Sequence, residues 1–119
     1  MTDRAPERAA SSLAREHCQP VRGGTSAFSH FEIEELAVEL DERWHINDDE
    51  LRRDFVTGEF GDAFALATRI ALLAQAQGHH PEMAISWGRL TVRLTTLAAH
   101  GLTRNDFILA ARIDALPGT

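Results

Sequence analysis

Two pairs of strand-like segments, parted by one long amphipathic stretch and flanked by a helix on either side, predict an α+β fold of order α-β-β-α-β-β-α. The clearest strand alternates apolar and polar residues, so its sheet has one wet face. Strand pairs on each side of a helix then form a four-stranded antiparallel sheet, with the helices packed on one face. The 119 residues, 44% hydrophobic and 25% charged, suit a single small domain.

Each element follows from local chemistry. Residues 1–27 hold few large apolar side chains, and Gly23-Gly24 interrupts any helix. This composition predicts a flexible tail with only a transient helix from Pro6 to His17, and a domain over residues 28–119. From Phe31 to Glu42 the pattern is helical, with Phe31, Leu36 and Leu40 sharing a face that Ile33 and Ala37 widen. Trp44 to Asn47 reads as a short strand, Asp48-Asp49 as a turn, and Leu51 to Val56 as its hairpin partner. Residues 60–77 form the long helix, with Phe60, Ala63, Phe64, Ala67, Ile70, Ala71 and Ala74 recurring every three or four positions. Gly78 supplies its stop, and Pro81 keeps the helix from resuming.

Met83 to Trp87 and Arg89 to Thr96 read as a second hairpin broken at Gly88, with Leu90, Val92 and Leu94 on one face of the longer strand. Gly101 closes the following loop. Thr103 and Asp106 then form a capping-box variant for a last helix from Arg104 to Ala115, which ends before Pro117-Gly118.

Composition excludes several kinds of chemistry. A single cysteine, Cys18, permits no intrachain disulfide and no multi-thiolate zinc site; in a tail it reads as an incidental thiol. All twelve basic residues are Arg, so no lysine Schiff base can form. No apolar run approaches the ~20 residues of a membrane span, and no secretory signal opens the chain. Residues 32–62 carry twelve acids against three Arg. Such a surface repels nucleic acid and reads either as a solvated face or as a dock for a basic partner. Asp48, Asp49 and Glu50 lack metal-ligand spacing and read as a solvated turn. His45 reads as a surface or edge residue. Arg89 and Arg93, with Arg52 or Arg53 beside them, mark a stripe suited either to solubility or to an anionic partner.

The sharpest chemical feature is Gly78-His79-His80-Pro81, at a junction between elements. Neighbouring side chains diverge, so two adjacent imidazoles suit acid–base work better than one shared metal. The alternative is a polar loop, with a histidine stabilised at the helix C-terminus.

His79-His80-Pro81, Trp87, the segment Leu90-Thr91-Val92-Arg93-Leu94-Thr95-Thr96, Gly101-Leu102-Thr103 and Asp106 together resemble the pterin-4a-carbinolamine dehydratases. Trp44 and the Phe55, Phe60, Ala63, Phe64 pattern add to the resemblance, which covers residues 31–116. It implies an α+β domain that assembles as a homodimer or tetramer. It implies a cofactor-free and metal-free removal of water from a 4a-hydroxytetrahydropterin, in the cytoplasm. His79 and His80 match the adjacent active-site histidines, with His80 the first candidate for acid–base catalysis. Pro81, Trp87 and Asp106 match positions that shape or contact the pterin site, Asp106 being an acid that can orient an imidazole.

Two positions depart from the family pattern. Leu97 stands where a third histidine is usual, and Gln75 stands where a charged residue or histidine is usual. His100, three residues after Leu97, occupies a usual glycine position and is a candidate for a relocated third imidazole. The missing imidazole favours a non-catalytic interaction module with an eroded site. The resemblance then extends to the family's offshoot, the Rubisco assembly factor of α-carboxysome bacteria, with the Rubisco large subunit as partner and association with carboxysomes. The alternative is a working dehydratase that relies on His79 and His80.

Overall fold

The structure, a computed structural model, describes residues 11–119. Part of the expected tail and of the 6–17 helix therefore lies outside the described residues. Helix α1 is His30–Ala37, strand β1 His45–Ile46, strand β2 Leu51–Val56, helix α2 Phe60–Gln77, strand β3 Glu82–Ser86, strand β4 Arg89–Leu94 and helix α3 Arg104–Asp114. The predicted α-β-β-α-β-β-α order and α+β class hold. Short 3₁₀ turns at Ser12–Arg15 and Leu97–Ala99 add to it.

The four strands form one antiparallel sheet in the order β1-β2-β4-β3. The two hairpins meet where β2 pairs with β4, in a register that sets Leu51 opposite Leu94 and Phe55 opposite Leu90. Leu51, Phe55, Leu90, Val92 and Leu94 are buried on one face. α2 covers it with Ala63, Ala67, Ile70 and Ala74, whose small side chains let helix and sheet approach closely. The other face carries Arg52, Asp54, Thr91 and Arg93.

α3 is buried without a break from Asn105 to Ala111, with the apolar run from Phe107 to Ala111 packed on every side. Its start is fixed by Asp106, whose Oδ2 accepts the Thr103 backbone N–H at 2.9 Å. α1 is fixed by Ser29, which accepts from the Glu32 N–H while the Glu32 carboxylate accepts from the Ser29 N–H. On this helix Ile33 is buried and Phe31 faces solvent, outside the apolar face the spacing predicts. The same displacement occurs on α2, where Phe60 and Phe64 are exposed beside a buried row of alanines.

Arg53 belongs to the core rather than to an arginine stripe. Strand alternation puts Arg52 on the open face across from Arg93 and turns Arg53 inward. There its guanidinium lies 4.3 Å from the centre of the Phe55 ring and pairs with Asp114. Asp114 also accepts from the Trp44 indole at 2.8 Å and from the Asp41 N–H at 2.9 Å. Residues 11–19 likewise dock instead of trailing: Leu13 is fully buried. Ala14 and Cys18 pack against the same core, and the segment's other ties are polar.

Candidate functional site

The histidine pair sits where α2 stops. Gly78 adopts a left-handed conformation (φ 68°, ψ 24°), and the His79 N–H closes the helix end on the Ala74 carbonyl. Beyond this point the two side chains diverge, as adjacent residues in extended backbone must. His79 turns inward, and its Nε2 lies 2.6 Å from Oδ1 of Asp106. His80 stays exposed, with Nε2 3.3 Å from Oε1 of Gln75.

Asp106 is fully buried, behind the side chains it holds at the cleft. Its Oδ2 accepts the Thr96 hydroxyl at 2.7 Å as well as the Thr103 N–H, and the Thr96 and Thr103 hydroxyls meet at 2.8 Å. The His79 tautomer that donates from Nε2 to the Asp106 carboxylate is the one that leaves Nδ1 as an acceptor.

His79 and His80 open onto a cleft of about 280 Å³, shared with Thr95, Thr96, Leu97, Asn105 and the segment Gln19-Pro20-Val21. A hollow of about 330 Å³ lies on the open sheet face, lined by Glu82, Met83, Ala84, Thr91 and Arg93. It contains no imidazole or thiol, whereas the other cleft holds both histidines of the pair.

The structure brings together only some of the residues singled out in the sequence. Pro81 leads from His80 into β3 and is not part of the cleft wall. Trp87 does not share the cleft either. It is 77% exposed in the β3–β4 turn, a strand's length from His80, because β3 runs away from the histidines. Leu97 lies at the rim, 82% exposed, with only carbon to offer a ligand. His100 ends the 3₁₀ turn in a left-handed conformation (φ 57°) and is absent from the cleft wall.

Sequence reasoning missed Asn105, Thr96 and Gln19-Val21 as parts of the site. Only the Thr103 cap hinted that buried hydroxyls cluster near Asp106. At the other candidate clusters, Asn47 and not Asp48 makes the turn: its Oδ1 accepts from the N–H groups of Asp49 and Glu50. No group of three or more His, Cys, Asp or Glu among the described residues could hold a metal ion. The Cys18 thiol is half-buried, and burial pushes its pKa up to about 11, so it lacks the thiolate character of a reactive cysteine.

A four-stranded antiparallel sheet packed against helices, with a carboxylate-held histidine and an exposed histidine at one cleft, defines an α+β protein with two imidazoles at the end of its long helix. Residues 26–116 match the family described as pterin 4 alpha carbinolamine dehydratase, and the chain belongs to that family. A relative from Alkaliphilus metalliredigens, provisionally named pterin-4-alpha-carbinolamine dehydratase, is 38% identical over 105 residues, covering 87% of this chain and 95% of the relative. One from Chlorobium limicola with the same provisional name is 43% identical over 103 residues, covering 83% and 90%. The crystal structure of a transcriptional coactivator/pterin dehydratase from Brucella melitensis superposes with a TM-score of 0.69 at 27% identity, covering 76% of this chain and 97% of that one.

Proposed function

We propose that this chain is a 4a-hydroxytetrahydropterin dehydratase that works with His79 and His80. The observation that carries the reading is the 2.6 Å contact between His79 and a fully buried carboxylate, next to an exposed second imidazole on the same cleft. A histidine that merely ends a helix needs no such partner.

In the reaction the carbon–oxygen bond at the 4a position breaks, and the departing hydroxyl takes up one proton to leave as water. The adjacent ring nitrogen gives up one proton, and its electrons form the new carbon–nitrogen double bond. One proton is supplied and one removed, which two imidazoles can exchange near neutral pH. His80, open to solvent, serves as the first acid–base group. His79 accepts at Nδ1, and the Asp106 carboxylate steadies the ring and the imidazolium that forms. The cleft is close to the ~300 Å³ lower bound for small-molecule sites and suits a compact bicyclic ring.

The test is turnover of freshly generated 4a-hydroxytetrahydropterin, followed by absorbance. The native chain should exceed the uncatalysed rate, and His80→Ala should lower turnover about 10²–10⁴-fold. A native chain that leaves the uncatalysed rate unchanged overturns the proposal.

Leu97 favours a second reading, the non-catalytic interaction module, since no third imidazole reaches the cleft. On this reading the native chain is inactive, Leu97→His raises turnover, and the Rubisco large subunit co-purifies with the chain in its native host. Absence of the co-purifying subunit removes that partner and, with it, the carboxysome association. Under either reading we propose a homodimer or tetramer, supported by the exposed Phe60, Phe64 and Leu72 on α2. We propose a cytoplasmic site of action without a membrane partner; no helix among the described residues is long and apolar enough to cross a membrane.

A further inference from the structure

We infer that residues 16–21 form a fixed strap whose Pro20 and Val21 supply the ligand-discriminating wall of the histidine cleft. The strap lies outside residues 26–116, the stretch that matches the family. The inference deepens the proposed dehydratase reading and rests on it.

The strap is pinned at almost every residue before it reaches the cleft. The Glu16 carboxylate accepts from Arg104 Nε at 2.7 Å and from its terminal nitrogen at 2.6 Å. The Glu16 carbonyl accepts two bonds from Arg112, at 2.8 and 2.6 Å. The Cys18 N–H donates to Gln77 Oε1 at 2.9 Å, one residue before the glycine that precedes the histidine pair. Gln19 and Asn105 then form a reciprocal pair. The Gln19 N–H donates to Asn105 Oδ1 at 2.9 Å, and Asn105 Nδ2 donates to the Gln19 carbonyl at 2.6 Å.

These bonds give Asn105 a defined part. It lines the cleft, yet both ends of its amide are engaged in holding the strap, so it is a positioning residue. The strap is tied to the C-terminal end of α2 and to the start of α3, the two places that present His79, His80 and Asp106. Pro20 follows immediately with a fixed φ and no N–H of its own. Downstream, the Phe28 N–H donates to the Leu102 carbonyl at 2.7 Å and ties down the far end of the segment.

A wall held in this way is pre-organised, so a ligand does not spend affinity on ordering it. Pro20 and Val21 contribute carbon surface to a cleft whose reactive groups are imidazoles and hydroxyls. That combination suits the face of a flat heteroaromatic ring, with the polar groups addressing its edge. The strap therefore acts on binding and leaves the chemical step to the histidines.

The test uses the full chain and two substitutions, Val21→Asp and the milder Val21→Ala. Turnover of 4a-hydroxytetrahydropterin gives kcat and KM, fluorescence titration with oxidised biopterin gives affinity, and a melting curve reports the fold. We expect Val21→Asp to raise both KM and the biopterin Kd about tenfold, with Val21→Ala smaller in the same direction, at unchanged kcat and melting temperature. An active native chain whose KM and Kd are indifferent to both substitutions overturns the strap inference and leaves the dehydratase reading standing. A native chain with neither turnover nor biopterin binding overturns both.

Discussion

Asp106 and His100 show how far a single residue's part can be read without its neighbours. Asp106 is legible as a helix cap, and the capping geometry follows from Thr103 three positions earlier. Its second oxygen is not legible, because the His79 contact spans 27 residues of chain and depends on how α2 and α3 pack. The histidine pair is visible from its position after Gly78, whereas its division of labour appears only when one ring meets a carboxylate and the other meets Gln75. His100 is the opposite case. Its distance from Leu97 suggests a relocated imidazole, but the turn ends on it in a left-handed conformation and the side chain stays out of the cleft. A residue with a Cβ holds that conformation at a cost of roughly 1–2 kcal/mol, part of which glycine returns as unfolded-state entropy. His100→Gly should therefore stabilise the chain by about 0.5–1 kcal/mol in urea denaturation. It should also leave pterin turnover unchanged. A loss of activity would place this imidazole back in the chemistry.

At the scale of elements, helices and strands follow closely from pattern, but the direction each one faces does not. The spacing in residues 60–77 is sound, yet it cannot say whether Phe60 and Phe64 or the alanine row beside them meets the sheet. The sheet selects alanine, because a small side chain brings helix and strand backbones closer and buries more of both. The two phenylalanines, one helical turn apart, are left on the outer surface of α2 beyond the reach of this chain's own core. That is the physical ground for the proposed self-association. Phe64→Glu should shift the sedimenting mass toward the monomer while leaving helicity intact, since Glu is a good helix former. A native chain that already sediments as a monomer, or a variant of unchanged mass, removes α2 as the contact. Arg53 follows the same logic in a strand. Alternation alone sends it inward, and the residue that makes this tolerable, Asp114, lies at the other end of the chain, out of reach of any local pattern.

For the molecule as a whole, hydrogen-bonded carboxylates set an acid limit on stability, and two of them hold the N-terminal segment. The Glu16 carboxyl is held below its ordinary 4.5 by the Arg104 hydrogen bonds, and Glu39 by the hydroxyls of Ser11 and Ser12. Asp41 is held low by Arg43, and Asp54 by Thr91 and then Arg52. Each of these groups binds its proton more weakly folded than unfolded. Their contribution is therefore fully present above the ordinary carboxylate range and is lost as pH falls through their depressed folded values. Asp114 runs the other way: burial raises its pKa, so its contribution is present at low pH and lost as pH rises. His30 is raised above its ordinary 6.5 by Asp48 and Glu34 and contributes below that value, losing its effect as pH rises. Four lowered carboxyls oppose one raised carboxyl, so unfolding free energy from urea titrations should peak between pH 4.5 and 6.5 and fall on the acid side. Two of the four hold residues 11–16 in place. Glu16→Gln combined with Glu39→Gln should therefore flatten the acid limb, and in the native chain amide protection factors at Leu13 to Gln19 should fall with acid before those of the β2–β4 amides do. An acid limb of unchanged steepness in the double variant would locate the proton-linked stability in Asp41 and Asp54 instead, and separate the strap from the acid response of the fold.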